Sequence, residues 1–450
     1  MNAKREDSMT LARLLGIAEE DAAKRLASTA AITSGPGAEG SANEFTAIIE
    51  RTLTVAADGC ADVEVIFGGA PAGRSASQFF VSLDTDGLLI SREGPSTIGV
   101  CHPLMQSVAA CYLAAVVVAA AVGLDKGQPM PFRLDFADLG ISKEMLRRSI
   151  TLEDAAIAGA GAIGNGFFRA LRHIDARGNI TVVDPKRVAV GNNNRCLYFT
   201  EESVSREKAV ELCSRAGVDF KRLKLDPFVG DFHQFVEGRE PPRVGRVFVG
   251  TDSRRVRRSI QAELPLEVID TSTSDASEII VHSHRFPTAH ACLACIYRHI
   301  PQEMGRERDI AEGLGVSLED VLKQRIDEGV AAKIVAKYPE LHATELIGVA
   351  FDSLFREMCS AQALTLPGQE QVFAPFAFIS TLAGCLMVIE LLRFEAGESR
   401  TNYFFTDPWL PPRTATRRRH GRVADCEFCS KPRNLQAMEA VWADALARSA

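Results

Sequence analysis

The sequence predicts an α/β protein built on a mixed, mainly parallel sheet, and three observations carry that prediction. Strand-like and helix-like segments alternate from Leu152 to about Ile300. The stretch "DAAIAGAGAIGNGFFRAL", starting at Asp154, runs as a short apolar strand, a glycine turn and a helix. Two further strand-like segments, "NITVVD" and "VFVGTDS", end at or near an aspartate.

Whole-chain properties narrow the class. A chain of 450 residues with 46% hydrophobic and 24% charged content has room for two or three domains with real cores. The net charge of −7 argues against a general nucleic-acid binder. The N-terminus "MNAKREDSMTLARLLG" mixes charges of both signs and shows no secretory pattern. "LMQSVAACYLAAVVVAAAVGL", Leu104 to Leu124, is just long enough to span a bilayer, but it is mostly alanine and valine and lacks an aromatic or basic belt. A buried core helix is the stronger reading. Eleven cysteines, an odd number, favour reduced thiols, metal ligands or a nucleophile over a disulfide framework, and a cytoplasmic location.

Taken in order, residues 1–43 form a helical segment that ends in the turn-rich connector "TSGPGAEGSANE". Residues 44–150 form a smaller α/β unit. In it "VEVIFGG" and "QFFVSLDTDGLLISREG" read as strands, the latter a pair turning at Asp-Gly, before the alanine-rich helix. Residues 151–432 form the main domain, with a charged helical insertion at about 301–365 and the long apolar helix "FAPFAFISTLAGCLMVIELLRFEAG" closing the core. Residues 433–450 are a C-terminal helix, and the basic run "RTATRRRHGR" before it reads as a solvated loop.

The glycine turn is Gly159-Ala160-Gly161-Ala162-Ile163-Gly164, a pattern that lets a backbone approach nucleotide phosphates. Asp184 lies 25 residues after Gly159, near the spacing at which an acid reaches ribose hydroxyls. Up to that point an NAD(P) oxidoreductase fits equally. Asn192, Arg195 and Lys208 follow, and Asp252 stands at the end of another strand. Hydride transfer has no need of two cations beside the phosphates, whereas phosphoryl or nucleotidyl transfer from ATP does. A carboxylate such as Asp252 can hold Mg²⁺ against a triphosphate. Singly, each residue has a plainer reading: an aspartate at a strand end is often a turn former, and an isolated arginine or lysine is usually solvated. The order of the set is the stronger signal.

That order, followed by Cys292-Leu-Ala-Cys295 and Cys426-Glu-Phe-Cys429, resembles the ubiquitin-activating enzyme superfamily, which includes the adenylyltransferases of thiamine and molybdopterin biosynthesis. The resemblance spans Leu152 to Pro432. It implies a Rossmann-like adenylation domain that uses ATP and Mg²⁺ to adenylate the C-terminal glycine carboxylate of a ubiquitin-like protein. It further implies that Asp184 binds ribose, Asn192 orients the phosphates, Arg195 and Lys208 stabilise departing pyrophosphate, and Asp252 binds the metal. Two positions depart from the family: Cys196 stands where glutamine is usual and Ala162 where a glycine is usual. Neither change removes a charge, so activity is expected to survive both.

The cysteine pairs offer four thiolates for a structural Zn²⁺, although some 130 residues separate them and each pair alone could be redox-active or buried. The resemblance favours the zinc site. It also implies a nucleophilic cysteine between the pairs, where Cys359 and Cys385 lie. Cys385 sits in an apolar helix, so Cys359, beside a turn-rich segment, is the candidate for a thioester. Cys60, Cys101, Cys111, Cys196 and Cys213 read as structural or incidental. Residues 44–150 resemble the reduced, inactive adenylation half of some bacterial members; the plainer alternative is an extra α/β domain. The partners implied are a ubiquitin-like substrate, a conjugating enzyme, and either a second copy or an internal pseudo-dimer. Nucleic acid and membrane are not among them. Rival readings are an adenylyltransferase for a sulfur carrier or tRNA base without a thioester, the oxidoreductase, and a non-catalytic scaffold.

Overall fold

The computed structural model describes residues 4–274, 276–298, 301–323, 325–349, 351, 354–355, 358, 376–398 and 400–447. Two sheets organise them. The first holds β1 (Thr29–Ser34), β2 (Thr54–Val55), β3 (Val63–Phe67), β4 (Gln78–Leu83), β5 (Gly87–Ser91) and β6 (Phe132–Asp135) in the order β2-β1-β3-β4-β5-β6. The first four strands are parallel, and β5 and β6 run antiparallel. The expected Asp-Gly turn is present: Asp84 Oδ1 accepts the N–H groups of Asp86 at 2.8 Å and Gly87 at 3.1 Å.

One expectation needs correction. β1 and the helix Glu39–Ile49 were assigned by sequence to the N-terminal segment, the linker and the region just past residue 44, yet they belong to the first sheet unit. "SGPGAEG" reads as a connector because it is polar and glycine-rich. In the fold it is a strand–turn–helix junction, Gly35-x-Gly37-x-x-Gly40, in which the Gly35 N–H donates to the Phe67 carbonyl at 2.7 Å.

The second sheet holds β7 (Ser149–Ala158), β8 (Asp175–Val183), β9 (Leu223–Phe228), β10 (Arg246–Val249), β11 (Glu267–Ser274), β12 (Glu278–Arg285), β13 (Tyr403–Thr406) and β14 (Arg417–Arg418). Their order is β14-β13-β12-β11-β10-β7-β8-β9. The strands from β9 to β11 are parallel, and β12, β13 and β14 add antiparallel. This is the mixed, mainly parallel α/β fold that the sequence predicts.

The two units share a core. The helices Glu39–Ile49, Pro103–Val122, Ala162–Leu171 and Ala377–Glu395 touch one another and the sheets, and one apolar cluster runs from Val65 and Tyr112 through Phe167 and Leu386 to Phe248 and Ile269. Pro103–Val122 is well specified locally: His102 Nδ1 accepts the Leu104 N–H at 3.2 Å, proline opens the helix and Gly123 closes it at φ 69°. This helix and Ala377–Glu395 are long and apolar enough to cross a membrane, but 83% and 94% of their most apolar windows are buried inside the protein. At the seam, Glu44 pairs with Arg169 at 2.8 Å and Arg172 at 3.1 Å.

The insertion forms the helices Pro301–Leu314, Leu318–Leu322, Glu328–Lys337 and Ala343–Leu346, with its own apolar cluster around Ile310, Leu314, Ile334 and Phe351. A buried ion pair, Arg255 to Glu307 at 2.6 Å, fastens it to the sheet domain.

Candidate active site

Strand register builds the site. Ala158 pairs with Val183 on one side and Val249 on the other, so the carboxyl ends of β7, β8 and β10 lie level. Gly159, Asp184 and Gly250 therefore leave the sheet together, and Asp252 follows two residues on. Ligands in parallel sheets bind at such strand ends.

The glycine turn has three distinct demands. Gly159 holds φ 108°, and a Cβ there would stand 3.0 Å from the Gly250 carbonyl oxygen. A Cβ on Gly164 would collide with the Gly159 carbonyl oxygen, so the helix Ala162–Leu171 could not lie against its strand. Gly161 differs: a methyl group there would meet no atom within 4 Å. It is also the helix N-cap and offers no side-chain acceptor, which leaves the helix end facing open space, as an anion site requires.

Asp184 is buried, and its two oxygens accept the N–H groups of Ala160 and Lys186, each at 2.8 Å. It thus holds the glycine turn against the β8 exit. The Lys208 N–H donates to the Lys186 carbonyl at 2.9 Å, which sets the start of the helix Lys208–Gly217 beside that exit. Lys208 is buried, and among the described residues no carboxylate pairs with its ammonium. Asp252 is half-exposed and lies 3.3 Å from Lys186 Nζ. Behind it Arg257, paired with the buried Asp270, donates to the Thr251 and Thr271 carbonyls and fixes the turn that carries Asp252. As a half-exposed carboxylate at a strand end, Asp252 has the donor chemistry a magnesium ion takes.

Asn192 stands in a single helical turn, residues 190–194, and Arg195 caps its end. Asn192 Oδ1 accepts the Ala189 N–H at 2.9 Å, so its side chain shapes the loop itself. Arg195 forms an ion pair with Glu6 of the helix Lys4–Leu15, and its Nη1 also donates to the Gly191 carbonyl at 2.9 Å and Asn194 Oδ1 at 3.0 Å. Burial works against the charge, yet Glu6 holds the guanidinium pKa above its ordinary value. Burial pushes the Cys196 thiol up to about 11 while Arg195 and Lys208 pull against it, so both cations flank that position.

Several residues here were missed by sequence reasoning. Asn165, fully buried, donates to the carbonyls of Ala160 at 3.2 Å and Gly161 at 2.9 Å and accepts the Tyr198 N–H at 3.0 Å, which joins the glycine turn to the Arg195 loop. Its place directly after the glycine pattern was the available signal. Lys186, two residues past Asp184, was another. Glu6, Asp7 and Arg51 carried no local signal. Asp7 Oδ1 accepts from Asn194 Nδ2 at 2.9 Å, and Arg51 Nη1 and Nη2 reach the carbonyls of Asn193, Leu197 and Phe199 at 2.7, 3.2 and 3.3 Å.

Cys292, Cys295, Cys426 and Cys429 come together, all buried, with every Sγ within 4.8 Å of the others. Cys292 Sγ lies 3.7 Å from both Cys295 and Cys426, and Cys295 lies 3.3 Å from Cys429, close to the roughly 3.8 Å edge of a tetrahedron with Zn–S bonds of about 2.3 Å. The donor set fits a closed zinc site. Cys385 is buried within its helix, as are Cys101, Cys111, Cys196 and Cys213 in theirs or nearby, whereas Cys60 is exposed. Cys359 lies outside the described residues.

Comparison with known proteins places these features in a family. The E1 N-terminal domain matches residues 1–142 and the ThiF family matches residues 137–426. The uncharacterized protein y4jF of Sinorhizobium fredii (strain NBRC 101917 / NGR234) is 24% identical over 262 residues, which cover 55% of this chain and 50% of that protein. The chain thus spans about half the length of the curated relative it matches. Crystal structures of E. coli MccB align over 78% of this chain and 97% of theirs, with ATP at 11% identity and TM-score 0.37, and with succinimide at 12% and 0.38. The ThiF match alone covers well over half of the residues and takes in the glycine turn, both aspartates, both cations and all but one of the clustered cysteines. On that match the chain belongs to the ThiF family, within the ubiquitin-activating enzyme superfamily of adenylyltransferases.

Proposed function

We propose that this protein activates the C-terminal carboxylate of a ubiquitin-like protein with ATP. The observation that carries the reading is the level exit of β7, β8 and β10, which brings an open helix end, Asp184 and the turn of Asp252 to one edge of the sheet, with Lys208 tied to the β8 exit through the Lys186 carbonyl. In the proposed reaction a carboxylate oxygen bonds to the α-phosphorus of ATP. The bond from that phosphorus to the bridging oxygen breaks, and pyrophosphate leaves with the electron pair. Lys208 and Arg195 offset the charge that develops on the leaving group. Asp184 holds the glycine turn in place to receive the phosphates and orients the ribose. Asp252 and Lys186 pair at the same strand ends. Magnesium, when bound at Asp252, offsets triphosphate charge. In a second step the Cys359 thiolate bonds to the activated carbonyl carbon and AMP departs, which leaves a thioester for a conjugating enzyme.

The paired sheets, each carrying a strand–glycine turn–helix junction, support an internal pseudo-dimer. In the first junction Gly35 abuts the Gly68 carbonyl as Gly159 abuts that of Gly250. A reducing, cytoplasmic setting, in which a thioester and thiolate zinc ligands persist, is part of the proposal.

The test is pyrophosphate exchange into ATP, run with small glycine-ended proteins encoded beside the gene, followed by non-reducing electrophoresis. Exchange that depends on the partner's terminal carboxylate, and an adduct that reductant removes and Cys359→Ala abolishes, are expected. Exchange without such an adduct would leave an adenylyltransferase of the sulfur-carrier or tRNA-base kind. No exchange with any carboxylate partner would overturn the reading.

A further inference from the structure

Arg195 is expected to meet phosphates, yet its Nη1 is fully engaged by the protein: the Glu6 carboxylate, the Gly191 carbonyl and Asn194 Oδ1. Among the described residues its other edge, Nη2 with Nε, makes no hydrogen bond. A guanidinium held by one nitrogen presents the remaining fork in a fixed direction, the geometry that bidentate phosphate contact needs. Glu6 is close to buried, with a side chain 15% exposed. It therefore acts as a counter-charge in a desolvated setting and not as a screened surface partner.

The loop that carries Arg195 is clamped on both sides by the N-terminal unit. Asp7, next to Glu6, accepts from Asn194. From the end of the helix Glu39–Ile49, Arg51 spends its two terminal nitrogens on three loop carbonyls. Arg51 is thus committed to backbone and is not itself placed to meet phosphate.

We propose that Glu6 is a positioning residue that aims Arg195 at the nucleotide phosphates, with the first unit serving as the clamp that holds the loop. The inference rests on the ATP reading above. It contrasts with a blocking role, in which Glu6 would compete with phosphate and its removal would improve binding.

Calorimetric titration of the full chain with Mg·ATP, and with adenosine as a control that lacks phosphate, separates these. Glu6→Gln is expected to weaken ATP binding about tenfold, the size of one lost charged hydrogen bond, and to leave adenosine unchanged. Glu6→Asp, which keeps the charge on a shorter stem and guards against a misfolded amide variant, should fall between. In an Arg195→Ala background Glu6→Gln should add nothing further, because its effect passes through that arginine. Unchanged or tighter ATP binding in Glu6→Gln, equal losses for adenosine, or losses that add in the double variant would overturn the positioning role. Wild-type protein that fails to bind Mg·ATP would overturn the ATP reading, and this one with it. Binding weakened by Arg195→Ala but not by Glu6→Gln would overturn this one alone.

Discussion

The Ala160 N–H donates to the Asp184 carboxylate at 2.8 Å, and through that bond the end of one strand dictates the shape of the turn that leaves the next. Asp184→Ala strands this donor and the Lys186 N–H together. We expect a loss of about 2 kcal/mol in urea unfolding and more than tenfold weaker ATP binding. Asp184→Asn, which keeps one acceptor oxygen, should lose less on both counts.

Gly161 and Gly164 should respond differently to the same substitution. Gly161→Ala adds a methyl group to open space, so the melting temperature should hold while nucleotide affinity falls, because the methyl occupies the approach to the helix end. Gly164→Ala drives a methyl group into the Gly159 carbonyl and should cost about 2–4 kcal/mol of stability. A Gly161→Ala chain that keeps full nucleotide affinity would rule out the cradle role.

Asp7 confers a pH dependence whose sign is fixed. Burial pushes its carboxyl up to about 8 from an ordinary value of 3.8. Between those values the native state holds a proton that the unfolded chain has released. The stabilisation is therefore fully present below about pH 4 and declines as pH climbs to about 8, by up to about 1.4 kcal/mol per unit. Asp7→Asn should remove that slope. Unfolding curves at pH 5, 6, 7 and 8 should show the variant gaining on wild type at each step, and parallel curves would refute the assignment.

Glu44 is the shared partner of Arg169 and Arg172 at the seam between the sheets, and it also accepts from Ser107 at 2.8 Å. Glu44→Ala leaves Arg169 without its carboxylate and Arg172 with only Asp219, 3.6 Å away, and should cost about 3 kcal/mol. Because the core is continuous across the seam, chemical denaturation should still give one transition. A separate early transition for either unit would contradict that continuity.

For the four clustered cysteines, elemental analysis should find one zinc per chain, and well under one equivalent would count against the site. Trp442 packs in the same apolar cluster and donates to the Leu264 carbonyl at 2.8 Å. In a Trp409→Phe background, chelation or Cys429→Ser should shift Trp442 emission and lower the melting temperature.

The parts of the site legible in the sequence are those that the chain itself keeps together. Gly159, Asp184 and Asp252 each follow a short apolar strand, so strand ends and turn chemistry announce them, and the paired cysteines announce themselves by spacing. What stayed hidden is held by long-range geometry. Glu6 lies 189 residues from Arg195, and on an N-terminal helix with mixed charges it looks solvated. Arg51, two residues past the helix Glu39–Ile49, looks like any surface arginine, yet it reaches carbonyls 142 to 148 residues away. Gly35-x-Gly37-x-x-Gly40 was overlooked because the strand before it, "TAAITS", has small residues and little apolar contrast. Its pairing with β2 and β3 makes it a strand.

The cysteine cluster also affects how the chain can vary. Cys292 and Cys426, 134 positions apart, end side by side, so everything between Cys295 and Cys426 departs from and returns to one fixed point. The entropy of closing such an excursion grows only with the logarithm of its length, about 0.6 kcal/mol per doubling. A change in length among the insertion helices, which have their own apolar cluster, is therefore expected to cost little, whereas the core helix Ala377–Glu395 and β13 on the same excursion are held by packing and strand pairing. A lineage could remodel the insertion helices for new clients while the adenylation chemistry stays in place, provided Cys359 keeps its position.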